Sequence, residues 1–174
     1  MRPEEEAEFA GVVERQWRFA YRVAWAVLRN AHDAEDAAQE TFLKMLRGGA
    51  WRGLRDERAF VARAAWRAAV DRLRQNRTRA TEPDDGAVEE MPDIGMGPEA
   101  AVVTADWEAS VHRLIDGLPE ELRQPLALSA EMNSREIAAA MGIAEGTVRT
   151  RLMRARQILR QKMGAMEERH YARR

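Results

Sequence analysis

Six arginines within one short stretch give this chain its first chemical signal. Arg63, Arg67, Arg72, Arg74, Arg77 and Arg79 follow Phe60, accompany Trp66 and share their segment with a single acid, Asp71. So many guanidinium groups repel one another unless a polyanion is nearby. Basic side chains with an interleaved aromatic suit a groove for single-stranded or distorted DNA. Trp66 is expected in the core rather than as a stacking platform.

A second basic row lies near the C-terminus. Val148, Leu152, Ala155 and Leu159 recur at helical spacing and define an apolar stripe. Arg149, Thr150, Met153, Arg154 and Gln157 fall on a different face. Arginine pairs with guanine edges in a major groove, and threonine reaches base edges or a thymine methyl. In front of this row Asn133 and Glu136 form a capping box for a short helix, and Gly142 ends that helix. A short capped helix, a tight turn and a basic helix make a helix-turn-helix, whose second helix suits insertion in a major groove.

The third constellation is acidic. Asp36, Gln39, Glu40 and Leu43 follow one another at helical spacing, opposite an apolar face of Ala38, Phe42, Met45 and Leu46. Such a stripe could dock on a basic partner. On spacing alone, an ordinary solvated face is the favoured reading.

Enzyme chemistry finds no foothold. His32, His112 and His170 are isolated, with no metal-ligand spacing. Ser110, Ser129 and Ser134 lack a nucleophile's setting, no phosphate loop follows a strand, and cysteine is absent. No cofactor and no metal are expected. The acidic start MRPEEEAEF does not resemble a secretory signal, and no apolar run reaches the length of a membrane span. A cytoplasmic protein without membrane insertion is therefore expected.

The net charge of −1 conceals a polarised distribution. Residues 146–174 carry nine Lys or Arg against two acids, whereas residues 80–106 carry eight acids and no base. The acidic stretch also contains Pro83, Pro92 and Pro98 with Gly86, Gly95 and Gly97, and has no helical period. It reads as an extended linker. The chain thus divides into a domain at 1–79, a linker at 80–106 and a domain at 107–174.

Both domains are expected to be all-α, since no strand-like alternation of useful length occurs. In the first, residues 4–28 read as one or two helices ending at Asn30. Asp33 would cap a helix that stops at Gly48 and Gly49, and a third would run from about Asp56 to Gln75. In the second, a helix is expected from Trp107 to Asp116. Pro119 then opens another that Pro125 should kink. Last come the capped helix from Ser134 to Met141 and a long helix from about Gly146 to Met163.

In order and spacing these segments resemble one family. Residues 33–44, DAEDAAQETFLK, closely resemble the helix by which sigma factors grip the clamp of RNA polymerase's largest subunit. Trp51, Arg52 and Gly53, with Phe60, Val61, Arg63, Ala65 and the run from Asp71 to Arg74, resemble the segment that melts and reads the downstream promoter element. The run LPEELRQP at 118–125, Glu136 to Ala138, Met141 and Gly142, and GTVRTRLMRAR at 146–156 resemble the fourth sigma domain. The arrangement is similar to the extracytoplasmic-function group of the sigma-70 family and spans about Phe9 to Met163. Two departures stand out. Arg67 occupies a position where group members often carry Asn, and Glu131, Met132 and Asn133 replace a Gly-Leu-Ser triplet.

The resemblance implies a sigma factor that binds the beta and beta-prime subunits of core RNA polymerase and directs it to promoter DNA. It implies polymerase contacts from Asp36, Gln39, Glu40 and Leu43. Contacts to the minus-ten element would come from Arg63, Arg67, Arg72, Arg74 and Arg77. Minus-thirty-five readout would fall to Arg149, Thr150, Met153 and Arg154, with Arg151, Arg156 and Arg160 on phosphates. An anti-sigma partner is implied as well. The eight acids of the linker resist collapse and mimic a polyanion, so it is expected to run extended through a basic polymerase channel. The alternative is a sigma-like interaction protein, or a helix-turn-helix repressor, that does not initiate transcription.

Overall fold

The computed structural model describes residues 2–79 and 101–171, with side chains for 2–79 and 109–165. Seven helices make up these residues: α1 (Pro3–Leu28), α2 (Ala31–Gly48), α3 (Glu57–Arg79), α4 (Ala101–Asp116), α5 (Glu120–Leu128), α6 (Ser134–Met141) and α7 (Glu145–Tyr171). The chain is all-α, as its patterning requires.

Helices α1, α2 and α3 form the first bundle. Phe19, Val23, Trp25 and Val27 of α1 meet Phe42 and Met45 of α2 and Val61 of α3. Alanines fill the closest approaches, among them Ala24, Ala34, Ala38, Ala65 and Ala69, all fully buried. Small contact residues allow short interaxial distances. Thr41 is buried in the same face and satisfies its hydroxyl by donating to the Ala37 carbonyl at 2.8 Å.

The second bundle is built from α5, α6 and α7. Ile137, Val148 and Leu152 seal the helix-turn-helix. Leu118, Leu122 and Ala155 form a second cluster, with Leu159 half-buried beside it. The capping box at α6 is complete. The Asn133 side chain accepts from the Arg135 and Glu136 amides at 3.0 Å, and Glu136 accepts from the Asn133 amide at 2.8 Å. Gly142 follows at φ 70°, in the left-handed region that glycine enters without a Cβ penalty.

Several boundaries differ from the sequence expectation. The turn between α1 and α2 is shorter than expected: Arg29 adopts φ 53° as the end of α1, and Asn30 caps α2 by accepting from the Asp33 amide. Asp33 is therefore inside the helix, and its carboxylate is free for other work. Asp56 accepts from the Ala59 amide and opens α3, which runs on to Arg79. Helix α4 begins at Ala101, so residues 101–106 are helical rather than part of the linker. Pro119 precedes α5 as its N-cap, and Pro125 lies inside that helix, buried. Helix α7 continues past Met163 to Tyr171. The expected extended conformation of the linker falls, for residues 80–100, outside the described residues.

The two bundles share one core. Leu128, Met132 and Ile137 of the second bundle join the apolar cluster of the first, with α5 against α1 and α6 against α3. Polar contacts frame the seam. Arg22 pairs with Glu131 at 2.7 Å, and Arg58 donates to the Glu131 carbonyl at 2.6 Å while lying 3.7 Å over the Phe19 ring. Arg29 pairs with Asp116, and Arg77 with Glu120.

Candidate nucleic-acid and partner interfaces

Helix α2 turns Ala34, Ala37, Ala38, Thr41, Phe42 and Met45 inward. The opposite face therefore carries Gln39, Glu40 and Leu43 outward, as the spacing requires. Leu43 is 48% exposed, one of only two large apolar side chains so placed among the described residues. Gln39 donates weakly to Glu35 at 3.4 Å, and Glu40 pairs with Lys44 at 2.7 Å. These are surface contacts that a partner can displace at small cost.

Asp36 is placed differently from its three companions. Its carboxylate accepts from the terminal nitrogen of Arg72 at 2.6 Å, while Arg72 Nε donates to Asp33 at 2.7 Å. Asn76 donates a second bond to the Asp33 carboxylate at 2.9 Å. Arg72 therefore ties α3 to the first turns of α2. Burial opposes its charge, but the hydrogen bond and charge of Asp33, joined by Asp36, outweigh this and raise its pKa above the ordinary guanidinium value. Sequence reasoning put Arg72 with the DNA-facing arginines. The missed signal was its helical phase, four residues before Asn76.

The remaining arginines of α3 point outward. Arg63, Arg67, Arg74 and Arg77 are exposed. Arg63 and Arg67 make no ion pair among the described residues, whereas Arg74 lies 4.0 Å from Asp71. Arg77 is taken by Glu120. Trp66 is only half-buried. It lines a cleft with Glu120, Glu121 and Gln124 of α5 and Arg151 of α7, so it is neither fully core nor free.

On α7 the apolar stripe Val148, Leu152 and Ala155 is buried and the reading row stands clear of it. Arg149, Thr150, Met153 and Arg154 are exposed, Met153 by 58%. Arg149 is steadied by Glu145 one turn earlier at 2.6 Å, and Thr150 donates to the Gly146 carbonyl. Arg156 and Arg160 are exposed, while Arg151 is half-buried at the cleft facing Trp66.

Among the described residues no His, Asp and Glu cluster could hold a metal ion, and no helix is long and apolar enough to cross a membrane. What the surface offers is an acidic, partly apolar helix face and two cationic helix faces.

Comparison with known proteins adds an independent line. The Sigma-70 region 2 family matches residues 12–79, and the Sigma-70 region 4 family matches residues 108–159. The RNA polymerase sigma-H factor of Pseudomonas aeruginosa is 31% identical over 157 residues, covering 82% of this chain and 80% of the relative. The ECF RNA polymerase sigma factor SigW of Bacillus subtilis is 28% identical over 166 residues, covering 89% and 88%. Among solved structures, the sigma factor RpoE from Bartonella quintana, in complex with the anti-sigma factor NepR, matches with a TM-score of 0.68 at 18% identity, over 90% of this chain and 96% of that one. CnrH, in complex with the cytosolic domain of CnrY, matches at 0.59 and 21% identity, over 90% and 88%.

Proposed function

Because this chain belongs to the sigma-70 family, in its extracytoplasmic-function group, we propose that three of its surfaces divide the work of promoter-directed initiation. The chain is a sigma factor, a regulatory subunit that directs RNA polymerase to promoters. The division of labour among residues is our reading. Gln39, Glu40 and Leu43 dock on a basic surface of core polymerase, through its beta-prime subunit, with further contact to beta. Asp36 serves that surface through its bond to Arg72. Arg63, Arg67, Arg74 and Arg77 hold the opened minus-ten strand, with Trp66 as a stacking neighbour. Arg149, Thr150, Met153 and Arg154 enter the major groove of the minus-thirty-five element, while Arg156 and Arg160 hold phosphates. Arg151 takes a phosphate once the cleft beside Trp66 opens. The protein works in the cytoplasm, and an anti-sigma protein is its regulatory partner, as in the complexes of RpoE with NepR and CnrH with CnrY.

The observation that carries this reading is the outward placement of Arg149, Thr150, Met153 and Arg154 on a helix whose other face is sealed. A sigma mimic that binds polymerase or a regulator gains nothing from such a row, and a simple repressor gains nothing from the face of Gln39, Glu40 and Leu43. Reconstitution with core polymerase and run-off transcription tests it. Transcripts that start at a defined promoter only when the chain is present are expected. Core binding without promoter-dependent transcripts would mark a mimic, and DNA binding without core binding a repressor.

A further inference from the structure

The two arginines assigned to base reading on α7 are held in different ways. Arg149 donates through one terminal nitrogen to the Glu145 carboxylate, one turn earlier, at 2.6 Å. Arg154 projects from the same face and makes no ion pair among the described residues. One turn before it stands Thr150, whose hydroxyl is turned back to the Gly146 carbonyl at 3.0 Å.

An exposed pair four residues apart on one helix is ordinarily loose. This one is held from across the turn. Glu145 is 36% exposed against 69% for Arg149, so the carboxylate is the more enclosed partner. Ser134, the first residue of α6, donates its hydroxyl to the same Glu145 oxygen over a long 3.4 Å. That hydroxyl is spare, because Asn133 already caps α6 by accepting from the Arg135 and Glu136 amides. The dipole at the start of α7 also favours a carboxylate there. A hydroxyl on the first helix of the helix-turn-helix, a carboxylate at the start of the second and a guanidinium one turn in therefore act in series.

An arginine that docks on a base loses rotamer freedom, and the loss subtracts from the contact it makes. Arg149 has lost part of that freedom in advance. Glu145 occupies one N–H of its fork and leaves the others for the O6 and N7 acceptors of guanine. A carboxylate that swung with the arginine would restrain nothing. The bond from Ser134 ties Glu145 to the scaffold.

We propose that Ser134 and Glu145 are positioning residues for base reading: through Glu145, α6 holds Arg149 in the orientation that meets a guanine edge. Arg154 reads without such a brace. This rests on the assignment of α7 to the major groove, but the brace itself is a property of the free chain. Its consequence is specificity more than affinity. Glu145 repels phosphate on every sequence and sharpens the preference at one base pair.

Ser134→Ala separates these two effects, because it cuts the brace and leaves the charge. In holoenzyme titrations on duplexes substituted one base pair at a time, it should reduce discrimination about threefold at the pair that Arg149→Ala flattens, as expected when one long side chain must be ordered on binding. Discrimination at the pair that Arg154→Ala flattens should keep its parent value, which a general loosening of the bundle would not allow. Ser134→Thr keeps a hydroxyl and should restore the preference. With Arg149→Ala already present, Ser134→Ala should change discrimination no further. Equal losses at both pairs, or the same loss with Arg149 absent, would make Ser134 a structural residue and overturn the proposal. A measurement on the free chain separates the brace from the assignment of α7. NMR relaxation at the Arg149 Nε–H should show a more mobile guanidinium in Ser134→Ala than in the parent, with Ser134→Thr parent-like. Unchanged mobility would overturn the brace whatever the duplexes show. Raised mobility beside an Arg149→Ala variant that keeps full discrimination would place the failure in Arg149 as a reader, and the proposal would fall with it.

Discussion

Arg72 of α3 and Asp36 of α2 are joined by a 2.6 Å hydrogen-bonded ion pair, and through it the helix proposed to meet polymerase is fixed to the helix proposed to open DNA. Asp33 completes the clamp at 2.7 Å. The side chain of Arg72 is 27% exposed, so the pair is partly screened but not fully wet. A two-pronged guanidinium fixes orientation as well as charge. Removing it leaves two carboxylates facing each other in the first turns of α2, held by the Asn76 bond to Asp33 and the helix dipole.

Arg72→Ala should therefore lower stability by about 1–2 kcal/mol and weaken core binding together with it. Arg72→Lys should recover part of the stability, since it restores charge without the second prong. Urea denaturation and a core-binding titration check both. A variant of unchanged stability whose only defect is a smaller salt slope in DNA binding would return Arg72 to the row of phosphate contacts.

The docking face makes the opposite demand. Leu43 and Gln39 are exposed, and Gln39 makes only a long surface bond to Glu35. Leu43→Ala should leave the urea midpoint in place while core affinity falls about tenfold, the effect of losing roughly 1.4 kcal/mol of apolar contact at an interface centre. Glu40→Lys should weaken binding more at low salt than at high salt. Core affinity that is indifferent to both substitutions would remove this face from the polymerase contact.

What could be read from the sequence divides along a physical line. Local periodicity and capping chemistry placed the helices: Asn133 with Glu136 at α6, Gly49 at the end of α2, and the stripe of Val148, Leu152 and Ala155 all express their geometry within a few residues. Contacts between helices were not visible that way. Asp33 was read as a cap because Asp suits that position, whereas Asn30 three residues earlier does the capping and frees Asp33 for Arg72. The pairing of Arg77 with Glu120 and the seam at Leu128, Met132 and Ile137 join residues far apart in sequence. A linker rich in Pro, Gly and acids suggested two independent halves and said nothing of their shared core. Leu46 and Leu159, expected in the core, are half-buried because each lies at the margin of its stripe.

A pH dependence follows from the start of α3. Hydrogen bonding from Arg15 at 2.9 Å, helped by Gln16 and opposed by burial, holds the Glu57 carboxyl below its ordinary pKa. A carboxylate with a depressed folded pKa adds stability above its unfolded value, near 4.3, and loses it as pH falls through the folded value. Arg15 is largely exposed, so solvent screening keeps the pair's contribution small. Glu57→Gln should lower the urea midpoint slightly at pH 7 and leave it unchanged at pH 3. A difference of equal size at both pH values would assign the loss to packing or to the Gln16 bond instead.

The reading row on α7 gives the sharpest test, because its members should fail in different ways. Arg149 is exposed in the helix's first turns and pre-oriented by Glu145, and Arg154 projects from the same face. A bidentate arginine–guanine contact discriminates by about 1–3 kcal/mol, so Arg149→Ala or Arg154→Ala should flatten the preference at one base pair of the upstream element. Arg160 lies further along α7, away from the first turns, and is exposed. Arg160→Ala should weaken all sequences alike and reduce the salt slope by about one unit. Glu145→Gln adds a finer expectation. Glu145 restrains Arg149 and also repels phosphate, so its loss should raise affinity for every duplex while blurring the base preference that Arg149 supplies. Holoenzyme titrations on duplexes substituted one base pair at a time, at two salt concentrations, resolve these outcomes. Full discrimination retained by both Arg149→Ala and Arg154→Ala, with affinity alone reduced, would move base reading off this face of α7.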